Sequence, residues 1–127
     1  MRISRITTFL FACQAIIANA QHAEKLREDL LLQVVEAIYI SEGGENTAYP
    51  YGIKLQSYPH DVPRSQHARK VCVATVLKNH QRWIDSGMQG DFIDFLADRY
   101  CPPSVDPQGN KNWKKNVKFY LNKWSKK

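Results

Sequence analysis

An apolar helical stripe, cut short by a glycine pair and followed by a long aromatic connection, most narrows the folds open to this chain. Leu26, Leu30, Leu31, Val34, Val35 and Ile38 recur at the spacing of one helix face, so the pattern predicts a helix from about His22 to Ser41, ended by Gly43-Gly44. Residues 43–64 then carry three prolines, three tyrosines and three glycines, a composition that suits neither helix nor strand. Connections of this length inside a compact domain are usually functional or disordered. Tyr49, Tyr51 and Tyr58 argue for order, because each ring needs a surface to pack on. An ordered loop of aromatic rings beside an acid, Glu42, describes the wall of a binding cleft, with Tyr49 and Tyr51 as its lining.

Three more helices follow. One is expected from Ser65, as N-cap, to Gly87, with Ala68, Val71, Cys72, Val76, Trp83 and Ile84 on its inner face. Another starts near Asp91, buries Phe92, Phe95, Leu96 and Tyr100, and is stopped by Pro102-Pro103. The last follows the turn Asp106-Pro107-Gln108-Gly109 and carries the stripe Trp113, Val117, Tyr120, Leu121 and Trp124. With no repeat, linker or break in composition, the expectation is a mainly α, small single domain with a long ordered loop between its first two helices.

The beginning of the chain reads differently. Met1-Arg2-Ile3-Ser4-Arg5 is basic, Ile6 to Ala18 is largely apolar, and Ala18-Asn19-Ala20 has the small residues a signal peptidase accepts. Residues 1–20 are therefore expected to be a removed signal peptide, leaving 21–127 as the working domain; the alternative is an anchor or a first helix of the fold. The apolar run is shorter than a bilayer-spanning helix. The mature protein is expected to be exported, periplasmic or secreted, to act as a monomer and to lack an integral membrane segment. Removing Cys13 leaves Cys72 and Cys101, an even pair where disulfides persist, so a Cys72–Cys101 bridge is expected, with two buried free thiols as the alternative.

Of the 18 Lys and Arg, loss of Arg2 and Arg5 leaves 16 against 12 Asp and Glu, a mild balance of +4. Much of the surplus lies in Lys111, Lys114, Lys115, Lys118, Lys123, Lys126 and Lys127, interleaved with aromatic residues. Such a run can grip nucleic acid, but the aromatics fall at helical spacing and so form a buried stripe with lysines facing solvent. No nucleic acid is expected as partner; an anionic envelope surface suits an exported cation better. His22, His60, His67 and His80 show no zinc-like spacing, and Gly43-Gly44 follows a helix instead of opening one, so no metal, cofactor or phosphate loop is expected.

Glu42 is the residue with chemistry to explain. A carboxyl at a helix C-terminus faces the negative end of the helix dipole, and apolar neighbours desolvate it, so both effects raise its pKa. An acid that keeps its proton near neutrality is what cleavage of a glycosidic bond needs, since the leaving oxygen must be protonated. The bland alternative is a surface glutamate grouped with Glu45.

The segment Ala37-Ile38-Tyr39-Ile40-Ser41-Glu42-Gly43-Gly44, followed by Tyr49-Pro50-Tyr51-Gly52-Ile53, resembles the catalytic core of the lysozyme-like superfamily, nearest to soluble lytic transglycosylases and goose-type lysozymes. The resemblance implies a lysozyme-like helical fold with Glu42 as catalytic acid and Gly52-Ile53 in the cleft loop; Lys54-Leu55 stands where the family has Met-Gln. Phe92 to Tyr100 with Pro102-Pro103 is similar to the helix that brings a tyrosine over the active site, which would place the Tyr100 hydroxyl near Glu42 or the substrate; the alternative is a core tyrosine. The substrate implied is the peptidoglycan glycan strand, cut between N-acetylmuramic acid and N-acetylglucosamine. Neither Glu36, Glu45 nor Asp61 forms a readable pair with Glu42, so a single-acid route closing a 1,6-anhydro ring fits better than hydrolysis, unless Asp61 folds back. The rival function is a non-catalytic exported module that binds an envelope protein or wall component.

Overall fold

The structure, a computed structural model, describes residues 5–55 and 57–127, so the basic opening Met1 to Ser4 lies outside the described residues. Four helices carry it: α1 (Arg5–Ser41), α2 (Arg64–Asp85), α3 (Phe92–Tyr100) and α4 (Pro107–Ser125), with short 3-10 turns at Gly44–Asn46 and Pro50–Gly52. Among the described residues there is no strand. The protein is mainly helical, as its periodicity predicts. The first helix begins well before His22 and runs without a break past Ala20.

The chain divides into two compact units, one through Leu30 and one from Leu31 to Lys127. In the first, the helix leaves Leu10, Phe11, Ile16 and Ile17 exposed. Leu26 and Leu30, expected on an inward face, are exposed as well. A stripe is buried only where another element covers it, and the buried positions of α1 start at Leu31. Among the described residues no helix is long and apolar enough to cross a membrane.

The second unit holds the hydrophobic core. Leu31, Val34, Val35, Ala37 and Ile38 of α1 meet Tyr51, Ala68, Cys72 and Val76, then Ile93, Leu96 and Ala97 of α3 and Trp113 and Val117 of α4. Fully buried side chains such as Ile38, Val35 and Leu96 each contribute about 1.5–3 kcal/mol to folding. Tyr120, Leu121 and Trp124 pack against this core half-buried, which completes the stripe expected of α4.

The helix starts follow the local chemistry. The Asp91 side chain caps α3 by accepting from the Ile93 and Asp94 N–H groups. Asp106 caps α4, its Oδ1 accepting from the Gly109 N–H at 2.8 Å, and Pro107 follows as first helical residue, where its missing N–H costs nothing. The stretch expected as a turn is thus the first turn of α4. Helix α2 starts at Arg64 behind Pro63, so Ser65 lies inside its first turn and is no cap. Buried Asn110 clamps α3 to α4: its Nδ2 donates to Asp98 Oδ1 at 3.1 Å and to the Cys101 carbonyl at 2.8 Å. Lys118 adds an ion pair with Asp94 at 2.7 Å.

The expected Cys72–Cys101 bridge is absent, and both thiols are free. The reason is directional. The Tyr100 hydroxyl donates to Cys72 Sγ at 3.0 Å inside the core, whereas Cys101 Sγ turns to the start of α4, 3.9 Å from the Asp106 carbonyl. Burial pushes the Cys72 thiol up to about 11, so it stays protonated and unreactive. Thiol titration of the chain unfolded without reductant is expected to find all three cysteines reactive; a result short by two would restore the bridge.

Candidate functional site

The end of α1 is built to present one carboxyl. The Glu42 N–H still donates to the Ile38 carbonyl at 2.9 Å, so Glu42 extends the helix by one residue. Gly43 and Gly44 then take φ of 106° and 58°, left-handed values that stop the helix at no steric cost. The chain doubles back through Thr47, whose hydroxyl oxygen accepts from the Tyr49 N–H at 3.1 Å, into the Pro50–Gly52 turn.

That turn is strained and pinned. Tyr51 holds φ of 59°, a conformation few residues other than glycine tolerate, and its buried ring packs on Tyr39 with centroids 4.9 Å apart. Gly52 follows with φ of 69°, and a Cβ there would sit 2.9 Å from Glu42 Cδ and 3.1 Å from each carboxyl oxygen. The backbone of the turn therefore lies flat against the Glu42 carboxyl. Further along the loop, the Tyr58 hydroxyl donates to the Ile53 carbonyl at 3.0 Å while its ring meets Arg64 and His67.

A cleft of about 370 Å³ opens over this acid. Ser41, Glu42, Thr47, Tyr49, Gly52 and Lys54 form one side; the end of α3 and the first turns of α4 form the other through Tyr100, Cys101, Gly109, Trp113 and Asn116. Tyr49 is half exposed at the rim, with Lys54 Nζ over its ring 5.5 Å from the centroid. Burial is the main force on Glu42 and raises its pKa. Two groups oppose it. The Trp113 indole N–H is buried without a hydrogen bond of good geometry, yet lies close enough to favour the ionised carboxyl, and the Lys54 ammonium acts in the same sense.

The expected residues divide. Glu42, Tyr49, Gly52 and Tyr100 line the cleft together. Tyr51 is core, and Ile53 packs half-buried against the core. Tyr100 contributes its ring, stacked on Trp113 at 5.1 Å, but its hydroxyl is given to Cys72 and so does not orient Glu42. Trp113 reads in the sequence as a core residue and is also a cleft wall; helical spacing shows that a residue is buried without showing what lies beyond it. Thr47 and Asn116 carry no motif that marks them, and neither the turn signal at Gly109 nor the departure at Lys54 points to a cleft wall. Among the described residues no cluster of His, Cys, Asp or Glu could hold a metal ion.

Chemically, the cleft offers a desolvated acid between aromatic walls. No family model, curated protein or solved structure matches the chain.

Replacing Gly52 with alanine is expected to destabilise the fold by about 1–2 kcal/mol through its left-handed backbone alone. The added methyl also displaces the Glu42 carboxyl. Denaturant unfolding checks the first effect, and the NMR titration of Glu42 in the variant, expected to move toward an ordinary glutamate, checks the second.

Proposed function

We propose that this chain is an exported peptidoglycan-cleaving enzyme that breaks the linkage between N-acetylmuramic acid and N-acetylglucosamine, with Glu42 as general acid and then general base. The observation that carries the reading is the placement of Glu42 in a cleft whose burial favours its protonated form. The resemblance of Ala37 to Gly44 and of Tyr49 to Ile53 to the lysozyme-like superfamily supports the same assignment.

Of the described residues lining the cleft, Glu42 is the only carboxylate, and Asp61 is exposed in the turn before α2. This favours a single-acid route. Protonated Glu42 gives its proton to the glycosidic oxygen as the bond to C1 breaks. The resulting carboxylate takes the proton of the muramic acid C6 hydroxyl, whose oxygen bonds to C1 and closes a 1,6-anhydro ring. Glu42 ends as it began, protonated, and no water is consumed. The Trp113 N–H favours the carboxylate that exists between the two proton transfers, and the exposed Tyr49 ring offers a stacking face for a sugar.

The purified protein is expected to solubilise peptidoglycan and to release muropeptides one water lighter than hydrolytic products, as mass spectrometry reads. Glu42→Gln is expected to lower that activity by about 100-fold or more. Because the folded-state pKa of Glu42 is raised, its carboxyl favours folding below the unfolded pKa and loses that contribution as pH rises through the folded value. The variant is therefore expected to melt no lower than the parent at neutral pH. An inactive parent, or a variant that keeps its activity, would leave a non-catalytic wall-binding module as the better reading.

The pH profile gives a separate check. Activity is expected to fall as pH rises through the folded pKa of Glu42. Lys54→Met, which removes a charge that favours the carboxylate, is expected to move that descending limb to higher pH.

A further inference from the structure

A second cavity of about 270 Å³ lies between α2 and α3, lined by Val71, Ala74, Thr75, Lys78, Asn79 and Arg82 and closed by Arg99. Three cations line it, and no carboxylate does. Lys78 and Arg82 are four residues apart on α2, a spacing at which like charges oppose the helix they sit on.

Neighbouring acids do not relieve them. Asp85 accepts from Gln81 Nε2 at 2.9 Å, and Asp98 is held by Asn110 Nδ2 at 3.1 Å and Lys114 Nζ at 3.7 Å. Among the described residues, Lys78, Arg82 and Arg99 form no ion pair, although Arg69, Lys114 and Lys118 each find a carboxylate. Position favours two of the three charges, since Arg82 lies in the last turn of α2 and Arg99 in the last turn of α3, where free carbonyls favour a cation; all three side chains reach solvent.

The rest of the lining is mostly apolar, and its two polar side chains are held by their own helix. Asn79 is only 4% exposed and donates its Nδ2 to the Thr75 carbonyl at 2.8 Å, while Thr75 Oγ1 donates to the Val71 carbonyl at 2.8 Å. A concave surface with two guanidinium forks, one ammonium and no competing acid suits a compact oxyanion carrying more than one charge. Guanidinium pairs bind such groups through two parallel N–H bonds each.

We infer that the groove formed by Lys78, Arg82 and Arg99 is an anion site that takes a phosphate group. It is distinct from the Glu42 cleft: Tyr100 lines that cleft, and the adjoining Arg99 lines this groove. The inference does not depend on the chemistry assigned to Glu42. In an anionic envelope the phosphate could belong to a soluble phosphodiester polymer or to a lipid headgroup.

The test is an NMR titration of the full chain with inorganic phosphate at constant ionic strength, balanced with chloride. Saturable shifts confined to residues 71–82 and 99 are expected, with affinity at least tenfold weaker in an Arg82→Gln, Arg99→Gln double variant. A Lys115→Gln, Lys123→Gln control, which removes the same charge from α4, should bind as the parent does. Shifts that grow linearly and spread along α4, or equal binding by the two double variants, would overturn the site. So would a double variant that keeps the parent's affinity; its amide spectrum shows whether it remains folded, and single Arg82→Lys and Arg99→Lys variants give the same comparison if it does not. Competition by a soluble glycerol-phosphate polymer or by phosphatidylglycerol vesicles then identifies the source, and competition by neither assigns the groove to free phosphate.

Discussion

The contact on which the rest of the site depends is the face of the Glu42 carboxyl against the backbone of Gly52. A side chain at position 52 would occupy the space the carboxyl needs, and the left-handed φ of the turn would oppose that side chain as well. Two independent demands therefore meet on one residue. The turn in turn is fixed by Tyr51, whose unfavourable backbone is held by a buried ring on Tyr39. Hydrophobic burial here helps set the position of an ionisable group, since the Tyr51 ring packed on Tyr39 holds the turn whose next residue lies against the acid.

The opposite wall depends on different forces. Asn110 and the Asp106 cap hold the start of α4 against the end of α3, and this junction sets Trp113 beside Tyr100. Gly109 has its own steric demand, since a Cβ there would lie 2.3 Å from Asp106 Oδ2 and 3.0 Å from Cys101 Sγ. The thiol of Cys101 thus belongs to a close-packed helix start. A free Cys72 bonded by Tyr100 and a free Cys101 packed on Gly109 anchor the α3 end without a covalent link.

Much of the helical framework was legible because amphipathic spacing, prolines and glycines are local signals. The stripe of α4, the start of α3 at Asp91 and the glycine stop after Glu42 all stand where the pattern puts them. What failed needed knowledge of partners. Leu26 and Leu30 obey the same period as Leu31 and Ile38, yet only the latter pair is covered. Cysteine parity favoured a bridge, but parity says nothing of the direction in which two thiols point. In the site, Glu42 and Tyr49 are readable from an acid and a ring beside a helix stop, while Gly52 is expected there only through the resemblance to the lysozyme-like cleft loop. Tyr51 was misplaced because a tyrosine with positive φ cannot be told from a cleft residue by sequence, and Lys54, Trp113 and Asn116 reach the cleft only through the fold.

The account stands on one side chain holding its proton longer than a glutamate in water would. The most direct measurement is the pH titration of the Glu42 side-chain carboxyl carbon by NMR in the folded protein, identified by its disappearance in Glu42→Gln. A midpoint above the ordinary glutamate value is the predicted result. A midpoint at or below that value would show a carboxyl that is solvated or ion-paired, and would contradict its role as the proton donor.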